Sequence, residues 1–442
     1  TGCQYIICLL AALRICILGN YHFPISMRRT NWIFRLLLIA ISSHSFSSCQ
    51  KTSEADLSKR KVVLVILDGI PAEMLERVET PNLDQIAGKG TYVRALMGGE
   101  RGGFSETPTI SAVGYNSMLT GTWVHKHNVK DNNIQFPNYH YWTIFRHFKE
   151  ANPLRSTAIY STWLDNRTKL LGDSLPETGY FKVDRYFDGL ELDSTKFPHD
   201  TLSRYIHEID KLVAERAAAD VRALGPDLVW VYLQYTDDMG HRYGDSQEME
   251  SAVWEADRQI GQIWKAIQTR EAMGEEFLLI VTTDHGRAEG GFHHGGQSDS
   301  EREIWLLSNK PFNRRASSLP AIVDVFPTVA RFLGTEIPRS HAMELDGVPL
   351  IGQIYAANLK AHVDGSHLAL VWDCLGSDAE AVVWASFSNQ FRYGKEDQYI
   401  QLAKVRLEDA QAHIDISQYD FKNAKIILEL PDGFLNYWVK RD

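Results

Sequence analysis

Four short runs hold the residues that could do chemistry. They are Val65-Ile66-Leu67-Asp68-Gly69; Pro108-Thr109-Ile110-Ser111, running on to Thr120-Gly121; Asp237-Asp238-Met239-Gly240-His241; and Thr283-Asp284-His285-Gly286, followed by His293-His294-Gly295-Gly296. Together they supply carboxylates, imidazoles and hydroxyls. Asp oxygen and His nitrogen suit zinc. Two such ions about 4 Å apart clamp the attacking and leaving oxygens of an in-line displacement at phosphorus. A serine hydroxyl beside such a cation becomes a nucleophile near neutral pH, because the cation stabilises the alkoxide. Glycines beside Asp68, His241, His285 and His294 let backbone approach a crowded site. Alone, each run is ordinary: an Asp-Gly after a strand usually makes a turn, and a serine in a polar loop is usually solvated. All four together, in this order, are the signal.

The elements that must position these runs can be read from the hydrophobic pattern. Lys61 to Leu67 is a continuous apolar, β-branched run, which predicts a parallel strand covered on both faces. Similar strands are expected at Thr157–Tyr160, Leu228–Tyr235 and Phe277–Thr283. Helical patterns lie at Ser203–Leu224 and Glu248–Arg270, and Pro81 opens another as a first-turn proline. Strands alternating with helices predict an α/β fold: a mostly parallel sheet flanked by helices, with ligands beyond the carboxyl ends of its strands. Asp68, Asp237 and Asp284 each follow such a strand, so three carboxylates are expected along one rim. After about residue 360 the pattern changes to short β-forming runs separated by turns such as Pro431-Asp432-Gly433, which predicts a C-terminal all-β, sandwich-like module. The expected organisation is a leader (1–49), a linker (50–60), a metal-dependent phosphoesterase domain (61–358) and the β-module (365–442).

Charge and cysteine use narrow the partners. The 442-residue chain has a formal charge of −10, and residues 1–49 contribute four arginines and no acid. The remainder is therefore more acidic still, which argues against a nucleic-acid duplex as partner, since phosphate backbones are bound by Lys and Arg. A small phosphoester or nucleotide held by metal ions remains open. Of five cysteines, four (Cys3, Cys8, Cys16, Cys49) precede residue 50, so Cys374 alone can build neither a disulfide nor a thiolate zinc site. From Met27 the chain reads Arg28-Arg29, an apolar stretch Leu36–Ile41, then small residues closing on Cys49. This resembles a bacterial lipoprotein signal, with Phe46 where Leu is usual. It implies export and a lipid anchor on Cys49, facing the periplasm or the cell surface. An ordinary signal peptide and an N-terminal membrane anchor are the alternatives.

The four motifs, taken in order, resemble the alkaline phosphatase superfamily and, within it, the type I phosphodiesterase/nucleotide pyrophosphatase branch. The resemblance runs from about Lys61 to Gly352. It implies two divalent metal ions, zinc first among them. One would be held by Asp237, His241 and His294, the other by Asp68, Ser111, Asp284 and His285. It also implies a nucleophile nine residues before a small-residue–Gly pair; counting back from Thr120 gives Ser111, with Thr109 the fallback. Relatives carry Asn three residues after the nucleophile, where this chain has Gly114, so Asn116 becomes the candidate for binding the phosphoryl group. Trp163 and Tyr235 are candidates to cap a substrate. His293 adjoins His294 and competes for the same role. Sulfatases need Cys or Ser followed by Pro and Arg at fixed spacing, and Ser111-Ala112-Val113-Gly114-Tyr115 has neither.

These implications amount to an exported two-metal phosphoesterase acting on phosphodiester, nucleotide pyrophosphate or phosphomonoester bonds through a covalent phosphoseryl intermediate. A phosphoethanolamine or phosphoglycerol transferase of the same superfamily, and a non-catalytic binding protein on this scaffold, are the competing readings. In the β-module, Trp372, Trp384, Tyr437 and Trp438 are either core residues or a contact surface for glycan.

Overall fold

A computed structural model describes residues 56–376 and 379–441. The leader, with Met27 and Cys49, and most of the expected linker lie outside the described residues. Among the described residues, no helix is long and apolar enough to cross a membrane.

A seven-stranded sheet forms the first layer. Its strands are β1 (Arg60–Leu67), β2 (Thr91–Leu96), β3 (Thr157–Ser161), β4 (Arg185–Phe187), β5 (Leu228–Leu233), β6 (Glu276–Thr282) and β7 (Glu303–Ser308), in the spatial order β2-β7-β6-β1-β5-β3-β4. β7 alone runs against the others. The unbroken apolar run of β1 is explained by its place: it lies between β5 and β6, and Lys61 to Leu67 are all buried. Alternate residues feed opposite cores. Val62, Leu64 and Ile66 pack against the helices Ser111–Thr120 and Val325–Leu333. Val63, Val65 and Leu67 meet Pro81–Lys89, Arg204–Leu224 and Gln247–Glu271. The fold is thus the mostly parallel sheet flanked by helices that the sequence predicts.

Strand ends set the site. Asp68 follows β1 directly, and Asp284 comes two residues after β6. β5 stops at Leu233, earlier than the apolar run suggests, because Tyr235–Tyr243 is helical. The Asp-x-x-x-His spacing therefore spans one helical turn, which puts Asp237 and His241 on one face.

The C-terminal part contains two antiparallel sheets. β8 (Ala356–Asp364), β9 (His367–Cys374) and β12 (Gln411–Asp415) form one; β10 (Glu380–Ser386), β11 (Ile400–Arg406), β13 (Asn423–Leu430) and β14 (Gly433–Lys440) form the other. Leu368, Leu370 and Trp372 from one sheet share a core with Val383 and Leu428 from the other, which is sandwich packing. This part begins at Ala356, earlier than the expected residue 365, because β8 pairs with β9. The aromatics singled out in the module are engaged internally. Trp372 is 4% exposed and donates its indole N–H to Leu407 O. Trp384 donates to Glu429, Tyr437 to Glu100, and Trp438 packs on Phe104 and His125.

Candidate active site and metal centre

Ser111 begins the helix Ser111–Thr120, so the hydroxyl projects at a helix N-terminus, the end that favours negative charge. Its Oγ lies 3.3 Å from His285 Nε2. The same nitrogen is 3.2 Å from Asp284 Oδ2 and 3.5 Å from Asp68 Oδ1. Those two carboxylate oxygens are buried and have no hydrogen-bond partner. On the other side, His241 Nε2 lies 3.0 Å from His294 Nε2 and 3.4 Å from Asp237 Oδ2, and His294 Nε2 is 3.8 Å from Asp237 Oδ1. The His285 and His294 rings stack at 3.6 Å and join the two halves. Asp68, Asp284 and His285 converge tightly enough to hold one cation, and so do Asp237, His285 and His294.

The histidine tautomers decide what this cluster is built for. Nδ1 of His285 faces Gly286 O at 3.0 Å, that of His241 faces Phe292 O at 2.9 Å, and that of His294 faces Thr109 O at 2.9 Å. A carbonyl only accepts, so each Nδ1 carries a proton; Nε2 of His285 and His294, whose burial favours the neutral ring, offers a lone pair, whereas Nε2 of His241 can also hold a proton shared with Asp237. Backbone carbonyls orient metal-binding histidines in this way. His241 Nε2 and His294 Nε2, 3.0 Å apart, need a proton or a cation between them. The orphaned carboxylate oxygens likewise need a proton or a cation, because a buried charge without a partner costs several kcal/mol. The donor set of Asp oxygen and imidazole nitrogen fits divalent zinc or a similar ion.

Crowded like charges show in the proton affinities. Burial, followed by the charges of Asp284 and Asp237, pushes the Asp68 carboxyl well above the usual carboxylate range. Burial and then Asp237 push Asp284 up to about 7. Burial also raises Asp237, but the hydrogen bond from His241 and the Arg287 charge outweigh it and hold that carboxyl low. Burial keeps His285 well below the ordinary imidazole value. The centre is closed around Asp284 and His285, whose side chains are fully buried, and opens towards solvent at His241, whose side chain is 45% accessible.

The structure separates the remaining candidates. Thr109 donates its hydroxyl to Gly296 O and accepts from Gly295 N, so it holds the loop that carries His294. His293 is exposed and its ring lies against the Phe292 ring, while His294 joins the metal group. Asp238 turns to Ser203 and Gln234. Asn116 lines a small cavity with Thr120, Tyr139 and Trp142, none of which belongs to the metal groups. Trp163, half-buried, makes a T-shaped contact with Tyr115 at 6.4 Å. Tyr235 stacks on His207.

Several contributors escaped sequence reasoning. Asn132 Oδ1 accepts Ala112 N–H at 3.0 Å, which places its amide over the first turn of the Ser111 helix. Gly114 is explained by close approach, since a Cβ there would meet Asp284 O at 2.9 Å. Arg287, 3% exposed, donates to Gly69 O, Gly291 O and Asp237. Tyr115 and Tyr232 both donate to Asp68 Oδ2. Asp210 accepts from the backbone N–H of Gln234 and Tyr235, at the start of the helix carrying Asp237.

The family model for type I phosphodiesterase/nucleotide pyrophosphatase matches residues 62–300. The chain belongs to this family. The match bears out the resemblance carried by the four motifs, and its span holds every metal candidate. Among relatives of this type I phosphodiesterase/nucleotide pyrophosphatase chain is an uncharacterised pyrophosphatase/phosphodiesterase of Schizosaccharomyces pombe, 24% identical over 67% of this chain and 56% of that protein. Human ectonucleotide pyrophosphatase/phosphodiesterase family member 7 is 24% identical over 57% of this chain and 53% of that protein. The chain spans about half the length of the curated relatives it matches. The structure of murine ectonucleotide pyrophosphatase/phosphodiesterase 5 with AMP has 14% identity and a TM-score of 0.43, covering 63% of this chain and 96% of that one.

Proposed function

We propose that this protein is an exported, metal-dependent phosphoesterase that hydrolyses phosphodiester or nucleotide pyrophosphate bonds, or phosphomonoesters, using Ser111 as nucleophile. The observation that carries the reading is the convergence of Ser111 Oγ on His285 Nε2, which itself faces the two orphaned carboxylate oxygens of Asp68 and Asp284. Asp68, Asp284, His285 and Ser111 would hold one divalent ion and Asp237, His241 and His294 a second, zinc being the ion the donors suit best. When bound, such ions supply charge neutralisation at phosphorus and lower the pKa of hydroxyls they contact.

The chain's own groups supply the rest. The Ser111 hydroxyl gives up its proton to solvent, and the helix N-terminus favours the resulting alkoxide. Ser111 Oγ bonds to phosphorus as the bond to the leaving oxygen breaks, giving a phosphoseryl intermediate. The leaving oxygen departs on the open, His241 side. Water then attacks phosphorus, the Oγ–P bond breaks, and the serine hydroxyl is restored. The Asn132 amide, whose Oδ1 accepts Ala112 N–H, would donate Nδ2–H to a phosphoryl oxygen. The family match adds nucleotide-type diesters and pyrophosphates to the substrate classes to test first. Lipidation of Cys49, and with it a membrane-anchored location, belongs to this proposal as the reading of the leader.

The test compares p-nitrophenyl phosphate, bis-p-nitrophenyl phosphate and p-nitrophenyl thymidine monophosphate as substrates of the purified full chain, with zinc and after chelation. Metal-dependent turnover that disappears in Ser111→Ala is expected, and the preferred substrate fixes the ester class. Turnover that persists in the variant would remove Ser111 from the mechanism.

A further inference from the structure

Asp68 is divided between two tasks. Its Oδ2 accepts hydrogen bonds from two phenols, Tyr115 and Tyr232, the latter at 2.6 Å. Its Oδ1 accepts none and faces His285 Nε2. Both phenols are buried, Tyr115 at 0% and Tyr232 at 2% exposure. Trp163 and Trp230 make T-shaped contacts with the Tyr115 ring at 6.4 and 6.3 Å. For packing alone, Phe would serve at either position without the cost of burying a hydroxyl, which is substantial unless the hydroxyl is paired. The sequence instead places two phenols in the core and aims both at one carboxylate oxygen.

The two phenols come from different elements. Tyr232 lies on β5, where it pairs in register with Ile66 of β1, two residues before Asp68. Tyr115 lies four residues after Ser111 on the same helix, one turn along and on the same face. The Thr236 hydroxyl holds Asp68 O at 2.6 Å, so backbone and carboxylate plane are both fixed.

We propose that Tyr115 and Tyr232 are positioning residues for a metal ion: by engaging Asp68 Oδ2 they aim Oδ1 at the ion, and Tyr115 ties the register of the Ser111 helix to that ligand. The inference rests on the reading that Asp68 holds a metal. Hydrogen-bonding partners of this kind, one shell out from a ligand, are worth about 10–100-fold in metal affinity.

Zinc affinity of the purified full chain, measured by competition with a chromophoric chelator, tests this for Tyr115→Phe, Tyr232→Phe and the double variant, with thermal unfolding of the metal-free proteins alongside. Each single variant is expected to bind zinc about tenfold more weakly or worse, with its activity-versus-zinc curve displaced to higher zinc. Zinc affinity within about twofold of the parent in every variant, whatever happens to the metal-free unfolding temperature, would reduce the tyrosines to packing and overturn the inference. A parent chain that binds no zinc would overturn the metal reading and this inference with it, an outcome distinct from unchanged affinity. Either single variant suffices, so a folding failure in one leaves the other to decide.

Discussion

Ser111 Oγ and Thr109 Oγ1, two residues apart in sequence, face different partners: the first lies 3.3 Å from His285 Nε2, the second donates to Gly296 O at 2.9 Å. Only one of the two hydroxyls is therefore placed to attack. Ser111→Ala is expected to lower kcat by at least about 10³-fold, the scale on which removing a covalent nucleophile acts. Thr109→Val is expected to weaken metal binding by loosening the His294 loop and to leave the phosphoryl adduct on Ser111. Acid-quenched mass spectrometry of the turning-over enzyme checks both; an adduct on Thr109 would reverse the assignment.

Asn132 supplies a second expectation. Its Oδ1 is committed to Ala112 N–H, so its Nδ2 points away from the helix amide and is free to donate to substrate. Removing one donor to developing negative charge costs about 10²–10³-fold in kcat. Asn132→Ala should therefore lower kcat by about 10²-fold while Asn116→Ala, in its separate cavity, changes it by less than about tenfold. Steady-state kinetics of the two variants on one diester substrate makes the comparison, and the reverse order would return the role to Asn116.

The contrast between these two asparagines shows where sequence reading succeeds and where it stops. The strand β1 and the rim carboxylates Asp68 and Asp284 are legible because a buried parallel strand leaves a continuous apolar run, and the polar residue that ends it must lie at the rim. The Asp237–His241 pair is legible because helical periodicity fixes its spacing. Asn132 is separated from Ser111 by the rest of one helix, the short helix Val124–His127 and a loop, and no periodicity links them. Tyr115, Tyr232 and Arg287 look like core or surface residues in sequence, and only tertiary packing turns their polar atoms inward. Gly114, which reads as a missing side chain, is explained once the helix is seen against Asp284.

Asp210 gives a pH-dependent expectation. Burial, opposed by the Thr162 hydroxyl and the N–H groups of Tyr235 and Gln234, pushes its carboxyl up to about 7 from an ordinary 3.8. The folded state then holds a proton that the unfolded chain has released between about pH 4 and pH 7. Stability from this group is complete below pH 4, falls as pH rises and levels off above about pH 7, a difference of a few kcal/mol at most. Asp210→Asn cannot ionise and lacks that slope. Its stability relative to the parent is expected to improve from pH 5 to pH 8, as read by denaturant unfolding of the metal-free proteins at both. A gap between variant and parent that is flat with pH would mean that Asp210 does not titrate in this range.

Gly69 separates backbone strain from crowding at the metal centre. Its φ is +64°, and a Cβ there would lie 2.6 Å from Arg287 Nη2 and 2.7 Å from Asp237 Oδ1. Gly365, in the β8–β9 turn, also has positive φ (+56°), but a Cβ there would meet nothing within 4 Å. An alanine in this conformation costs about 1–2 kcal/mol at either site. Gly365→Ala should show that cost alone, with zinc affinity unchanged. Gly69→Ala should show the same cost together with displacement of the Asp237 carboxylate, and therefore weaker zinc binding by about tenfold or more, the scale set by disturbing a ligand's supports. Unfolding free energies and zinc affinities of the two variants, measured side by side, make the comparison. Equal zinc affinity in both would mean that the Asp237 carboxylate is not a ligand at that centre, since an atom placed 2.7 Å from Oδ1 cannot leave it undisturbed.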